Sequence, residues 1–123
     1  MEIETNVSPR QDGMTAVCGL LDGLGMRRRY RGFRYLAYAV TLALEDEDRL
    51  YGLTKRLYPE VARRFRTKPG SVEWDIRTLI GEFWEHGDRA ALERLARRRL
   101  ANRPSVGEMV DILMSHLLRE MLF

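Results

Sequence analysis

The chain has 123 residues, of which 45% are hydrophobic and 32% charged, and its formal net charge is +3. A chain of this length buries one core without disulfide or metal staples, and its composition is too apolar for a disordered protein. Helix-forming residues dominate, and no stretch alternates apolar and polar residues as a strand does. We therefore predict an all-α fold of about six helices around one core, in residues 13–123, after a flexible arm of residues 1–12.

The composition also excludes a secreted or membrane-spanning protein. A single cysteine, Cys18, cannot form an internal disulfide and fits a reducing compartment. The sequence has no run of about eighteen apolar residues, which a membrane-spanning helix requires. Its N-terminus is acidic and polar, unlike a signal peptide. We therefore expect a cytoplasmic protein that does not contact a membrane.

Hydrophobic periodicity predicts three helices in the first half of the chain. The first covers residues 14–24, and Gly25 ends it in the left-handed conformation. The second begins near Gly32 and has one buried face, formed by Phe33, Leu36, Ala37, Val40 and Leu44. The acids at positions 46–48 favour the start of a third helix, over residues 49–65, with a bend or restart at Pro59.

Capping residues define two helices in the second half. We predict one over residues 88–100, with Asp88 as its N-cap, followed by a linker of residues 102–104. Ser105 begins the last helix, and Glu108 lies three residues later, which is the spacing of a capping box.

Residues 53–84 have the pattern of a helix-turn-helix, which we place at about residues 58–86. In its second helix, apolar residues recur on one face: Val72, Ile76, Leu79, Ile80 and Phe83. Thr67 is the predicted N-cap of this helix, and Pro69 suits its first turn. Gly87 is suited to end it.

Basic residues are concentrated in three windows. Residues 27–34 contain five arginines and no acid. Residues 49–77 contain eight basic and three acidic residues, a net charge of 8 − 3 = +5, and residues 89–103 contain six and one, a net of 6 − 1 = +5. Arginines also simply solubilise helices, but three windows together with a helix-turn-helix favour a basic face that binds double-stranded DNA.

The same stretch resembles the C-terminal DNA-binding domain of the stage-zero sporulation response regulator family of endospore-forming bacteria. The matching residues are Leu57, Tyr58, Pro59, Glu60, Val61, Ala62, Arg63, Arg64, Phe65, Thr67, Val72, Glu73, Ile76, Arg77, Ile80 and Trp84, with Gly32, Tyr35 and Leu36 upstream. The resemblance implies a six-helix domain that binds short promoter boxes, often as tandem copies, and contacts RNA polymerase. The receiver domain that usually precedes it is not expected here, since only a short arm does.

The resemblance also implies two changes at the DNA-reading positions. The family places guanine-reading arginines where this chain has Ser71 and Trp74, whereas Glu73 and Arg77 are retained. A bidentate arginine–guanine contact contributes about 1–3 kcal/mol of discrimination. We therefore predict retained affinity for the DNA backbone with changed or weakened specificity.

We predict DNA contacts at nine positions. The candidate residues are Arg63, Arg64, Thr67, Lys68, Ser71, Glu73, Trp74, Arg77 and Thr78. Arg63, Arg64 and Lys68 would hold phosphates, and the residues from Ser71 onward would face the groove. Glu73 could accept a hydrogen bond from a cytosine N4 group or cap the helix. Trp74, predicted to be exposed, could contact a thymine methyl or sugar, dock a protein, or lie on neighbouring side chains.

An alternative function is a protein-interaction module that kept the fold. It would bind a regulator or RNA polymerase through Trp74 and the methionine-rich last helix. RNA binding ranks third, because no sheet presents stacking aromatics. No enzyme, metal or cofactor is predicted: His86 and His116 belong to no catalytic constellation, and neither zinc spacing nor a phosphate loop is present.

Overall fold

A computed structural model of the protein describes residues 9–122. It contains six α-helices, which are α1 (Pro9–Gly23), α2 (Arg31–Glu45), α3 (Tyr58–Phe65), α4 (Pro69–His86), α5 (Arg89–Ala96) and α6 (Val106–Leu122). A 3₁₀ turn, Glu47–Tyr51, and a π-helical turn, Leu53–Leu57, connect α2 to α3. No strand occurs between residues 9 and 122, which confirms the all-α prediction. Within these residues, no helix is both long and apolar enough to span a bilayer.

Helix α1 begins five residues earlier than predicted. The sequence placed residues 9–12 in a flexible arm, but they form the first turn of the helix. An anchor on α2 accounts for the extra turn. The Arg10 guanidinium donates from Nε and Nη2 to both carboxylate oxygens of Glu45, each at 2.6 Å, and from Nη1 to the Tyr38 hydroxyl at 2.9 Å. Residues 1–8 of the predicted arm lie outside the described residues. Gly25 is left-handed, with φ 87°, as predicted.

Helix α2 is the central element of the core. The sequence predicted one buried face, but eleven of its fifteen residues are buried, on all sides of the helix. The reason is that α1, α4 and α6 pack around it, with α3 against its tyrosines. Leu44, predicted to be buried, is only half-buried near the end of the helix.

Gly32 sets how closely α2 and α4 approach. A Cβ atom at this position would lie 2.2 Å from the carbonyl oxygen of Asp75, closer than real Cβ contacts allow. The absence of a side chain therefore lets the start of α2 contact the backbone of α4 directly. This contact orients the longest helix of the protein relative to the core.

The part of the predicted third helix that precedes its restart, residues 49–57, is not α-helical. Gly52 adopts φ −143° and ψ 56°, which are not helical, so the chain forms two short turns before α3 begins at Tyr58. The predicted restart at Tyr58–Pro59 is confirmed, with Pro59 in the first turn of α3. The acids before the 3₁₀ turn act as expected, since the Asp46 carboxylate accepts from the Asp48 N–H at 3.0 Å.

Helix α5 ends four residues before the predicted position. Arg97 takes the left-handed conformation, with φ 58°, and stops the helix after Ala96. Both predicted caps are confirmed. Asp88 accepts from the Ala91 N–H at 3.0 Å. Ser105 Oγ accepts from the Glu108 N–H at 3.1 Å, while Glu108 accepts from the Ser105 N–H at 3.3 Å.

Candidate nucleic-acid interface

Helices α3 and α4 form the predicted helix-turn-helix, joined by residues 66–68. Arg66 ends α3 in the left-handed conformation, with φ 54°, and donates its N–H to the Ala62 carbonyl. The Thr67 N–H donates to the same oxygen at 2.9 Å. The chain then extends at Lys68 and enters α4 through Pro69. The two helices are thus joined by a three-residue turn, which is the length typical of a helix-turn-helix.

The predicted N-cap of α4 is wrong, whereas its predicted end is confirmed. The N-cap of α4 is Lys68, not Thr67, and no side chain caps it. Thr67 is held by its backbone bond to α3 instead, so its hydroxyl is not used for capping. At the other end, α4 ends at His86 as predicted, and Gly87 follows in an extended conformation, with φ −93° and ψ −175°. Pro69 has no N–H, and the Ser71 and Val72 N–H groups donate to the Lys68 carbonyl at 3.0 and 3.1 Å, so within the first turn of α4 only the Gly70 N–H remains for an anion.

Helix α4 buries the predicted apolar face and exposes the opposite one. All five residues of that face are buried, and Trp84 joins them. Trp74 lies on the opposite side, and 70% of its surface is exposed. At 100° per residue, Thr78 lies beside Trp74 on this exposed ridge, whereas Ser71 and Arg77 flank it. The predicted groove-facing residues therefore form the ridge of α4 and its two borders.

The predicted phosphate anchors surround the first turn of α4. Arg63, Arg64 and Lys68 are exposed. Within the described part of the chain, none of them forms an ion pair with an acid. The Arg64 guanidinium carbon lies 5.2 Å from the centre of the Phe65 ring, which restrains the side chain without neutralising it. These charges remain available to a polyanion.

Glu73 is paired with Arg77 and does not cap the helix. Arg77 Nη1 lies 3.9 Å from Glu73 Oε2, and the first turn of α4 contains no acid. Both side chains line a cleft with Tyr58 and Arg103. Burial, and to a lesser degree the charge of Glu73, raises the pKa of Tyr58 to about 12, so its hydroxyl remains protonated at neutral pH.

Helix α4 and the turn before it differ in charge. The helix contains one arginine and four acids, a net charge of 1 − 4 = −3 with His86 neutral. The acids are spread along it, with Glu73 and Asp75 after the first turn and Glu82 and Glu85 near the end, so the contrast lies between this acidic helix and the cations of the turn at its start. A polyanion is therefore attracted to the N-terminal end, where recognition helices contact bases.

The structure adds four arginines that the sequence did not single out as site residues. Arg31, Arg34 and Arg66 line a cleft with Thr67, at the start of α2 and in the turn. Arg103 lies on the other flank of α4, where a Cβ at Gly81 would be 2.8 Å from its Nη1 atom. In the sequence, only the basic window over residues 27–34 indicated that Arg31 and Arg34 could belong to the site. Because these residues are far from the turn along the chain, the sequence did not indicate that they lie beside it.

Within residues 9–122, no three His, Cys, Asp or Glu side chains are arranged to hold a metal ion. His86 lies 3.9 Å from Glu82 one turn before it, which is an exposed contact within α4. Cys18 is half-buried against the core, and burial raises the pKa of its thiol.

A comparison with protein families agrees with this geometry. The protein-family model described as "Sporulation initiation factor Spo0A C terminal" matches residues 17–117, which is most of the chain. The resemblance inferred from the residues of the turn and its helices is thereby confirmed. The family consists of DNA-binding domains of sporulation initiation rather than catalytic domains.

Proposed function

The chain belongs to the Spo0A C-terminal family, and from that membership we propose that it is a transcriptional regulator that inserts α4 into the major groove of double-stranded DNA. The observation that carries this proposal is the charge around the start of α4. Exposed cations without acidic partners surround an uncapped first turn, while the rest of the helix is acidic. This arrangement favours docking by the N-terminal end of the helix.

Backbone phosphates supply most of the affinity in this proposal. Arg63, Arg64 and Lys68 hold phosphates beside the first turn, and Thr67 contributes its hydroxyl. Each phosphate contact releases condensed counterions, so the affinity falls steeply as salt rises. The proposal therefore requires a salt-dependent affinity for any duplex.

Bases are read by the ridge of α4 and its borders. Trp74 presents an apolar ring that suits a thymine methyl group. Arg77 can bind guanine, and its contact with Glu73 holds both side chains on one border. Ser71 and Thr78 offer hydroxyls to either kind of base. The preferred sequence then differs from one read by arginines at positions 71 and 74.

In this proposal the regulator acts in the cytoplasm, at the nucleoid. It also binds two partners besides DNA. Pairs of molecules occupy tandem promoter boxes as a homodimer on DNA, and RNA polymerase contacts the bound protein. Both partners are inferred from the resemblance to the sporulation regulators.

Fluorescence anisotropy tests the central claim. A labelled sporulation-type promoter box and a scrambled duplex are titrated with the protein at two salt concentrations. We expect binding to both duplexes that weakens steeply with salt. A preference for the box would mean that specificity survives without the two arginines, and equal binding would mean a different target sequence. No binding at moderate salt would reject the regulator and favour a protein-interaction module that uses Trp74 and α6.

A substitution at Trp74 tests the base-reading role. We expect Trp74→Arg to strengthen binding to a guanine-containing box by about 5-fold to 150-fold, because one bidentate contact contributes about 1–3 kcal/mol. Glu85→Gln is the matched control, since it changes the net charge by the same amount on the exposed face of α4. The role is contradicted if both variants strengthen binding to the box and to the scrambled duplex equally.

A further inference from the structure

We infer that Arg31, Arg34 and Arg66 form a clamp for a DNA backbone phosphate, outside the helices that read the bases. This inference rests on the proposed function and extends the DNA footprint to the start of α2. The three arginines converge on one cleft, which Thr67 also lines. Two come from α2 and one from the turn, so folding brings together residues more than thirty positions apart.

The guanidinium groups of the clamp are not used within the protein. All three side chains are exposed, and none forms an ion pair or side-chain hydrogen bond with another residue in the described range. Elsewhere the chain pairs its arginines readily, as Arg56 shows with Asp46 at 2.6 Å. Three like charges at one cleft repel each other, and the negative charge of a bound phosphodiester offsets that repulsion. The planar guanidinium fork also matches phosphate oxygens bidentately.

The framework beneath the clamp is rigid. Tyr35 and Phe65 form its floor, with ring centroids 5.2 Å apart. The approach of Gly32 to the Asp75 carbonyl fixes the start of α2 against α4. The left-handed Arg66 is fixed by its N–H bond to Ala62. The backbone that carries the three arginines is therefore fixed before any ligand binds.

Arg66 also occupies a backbone conformation that favours glycine. Its φ of 54° lies in the left-handed region, where a side chain is strained and a glycine is not. Arginine at this position is less stable in the backbone conformation than glycine would be, which is consistent with a function for its guanidinium. Arg97 adopts nearly the same conformation, with φ 58°, at the end of α5. It is therefore a matched comparison outside the helix-turn-helix.

The location of the cleft selects the ligand. Thr67 belongs both to the cleft and to the turn, and Lys68 follows it at the start of α4. A duplex whose major groove receives α4 has its backbone beside this turn. A free phosphate ion and a DNA backbone phosphate would make the same contacts with this cleft. Because the cleft is continuous with the turn, its position favours the DNA backbone. The clamp adds affinity without reading sequence.

The experiment compares Arg66→Gly with Arg97→Gly by anisotropy, over a salt series, on the promoter box and the scrambled duplex. Both substitutions remove one charge and relieve the same backbone conformation, so thermal denaturation should show no loss of stability. One lost phosphate contact makes the slope of log K against log salt shallower by about 0.9, which is roughly an eightfold loss of affinity at 0.1 M salt. We expect this for Arg66→Gly on both duplexes, and no change for Arg97→Gly.

The double variant Arg31→Gln with Arg34→Gln tests the α2 side, and its slope should become shallower by about 1–2. Unchanged slopes for Arg66→Gly and for the double variant would overturn the clamp and leave the proposed function intact. If the unsubstituted protein binds neither duplex, the proposed function fails instead. A further arm replaces chloride by inorganic phosphate at equal ionic strength. Extra displacement by phosphate that Arg66→Gly abolishes would reassign the cleft to a free anion.

Discussion

Two groups of arginines in this protein differ in what surrounds them. The paired group lies between α1 and α3, where Glu45, Asp46 and Glu60 accept its hydrogen bonds; it consists of Arg10, Arg49 and Arg56. The open group surrounds the start of α4 and has no acidic partner among the described residues; it consists of Arg31, Arg34, Arg63 and Arg66. The first group stabilises the fold, and the second is available to a polyanion.

The difference shows that a basic window is not a unit of function. Arg49 and Arg63 fall in the same window of the sequence, with a net charge of 8 − 3 = +5 over residues 49–77. The Arg49 side chain is only 13% exposed and donates to the Leu42 carbonyl at 2.6 Å as well as to Glu60. Arg63 is exposed and makes no such contact. Counting charges therefore overstates the basic surface available to DNA.

The largest expected effect comes from the contact that holds the open group in place. Gly32→Ala puts a Cβ atom against the Asp75 carbonyl, where only backbone can yield. We expect a loss of about 3 kcal/mol or more in the free energy of unfolding. Urea denaturation followed by circular dichroism measures it. Gly19→Ala is the control, since nothing lies within 4 Å of a Cβ there, and it should stabilise α1 by about 0.5–1 kcal/mol. Equal effects would contradict the close approach of α2 and α4.

Arg49→Met tests the paired group. It keeps the aliphatic length of the side chain but removes one donor from the Glu60 carboxylate, which keeps Arg56 at 3.5 Å, and one from the Leu42 carbonyl, which keeps the Asp46 N–H. We expect a loss of about 1–2 kcal/mol in unfolding free energy, because the largely buried side chain loses charge-assisted hydrogen bonds to Glu60 and to the Leu42 carbonyl. The same urea experiment gives this value, and an anisotropy salt series should give an unchanged slope at temperatures where the variant is folded. A shallower slope would place Arg49 in the DNA interface.

Arg63→Gln is the complementary test in the open group. Because the side chain is exposed and unpaired, the unfolding free energy should change by less than about 0.5 kcal/mol. One lost phosphate contact should weaken DNA binding roughly eightfold at 0.1 M salt and make the slope shallower by about 0.9. If stability falls and the slope does not change, Arg63 belongs with the structural arginines.

The smallest expected effect is a pKa change in the paired group. The hydrogen bond from Arg10 is the main cause that lowers the pKa of Glu45, and the hydrogen bond from Arg56 does the same for Asp46. A carboxyl whose folded pKa is lowered stabilises the fold above its unfolded pKa, and this contribution is lost as pH falls through the folded value. NMR titration of Arg10→Gln should show a higher midpoint for Glu45. The midpoint of Asp46 is the internal control, and an equal rise there would contradict the separate pairing.

Much of the candidate site was predictable because its signals are local. The apolar period of α4, the exposure of Trp74 on the opposite face and the outward direction of Arg63 and Arg64 all follow from 3.6 residues per turn. The restart at Pro59 and the two confirmed caps of the last helices depend on neighbouring residues only. The family resemblance likewise came from consecutive residues, and the match over residues 17–117 confirms it.

What sequence alone determined is therefore the helical class, the helix-turn-helix and the family, since each rests on patterns within one turn or one short segment. The tertiary structure decided which arginines are free, because pairing depends on acids that folding brings close, such as Glu60 beside Arg49. It also decided that α2 is buried on all sides, since three other helices surround it, and that Arg31 and Arg34 lie beside Thr67. A single glycine, Gly32, makes that last juxtaposition possible by letting two backbones meet.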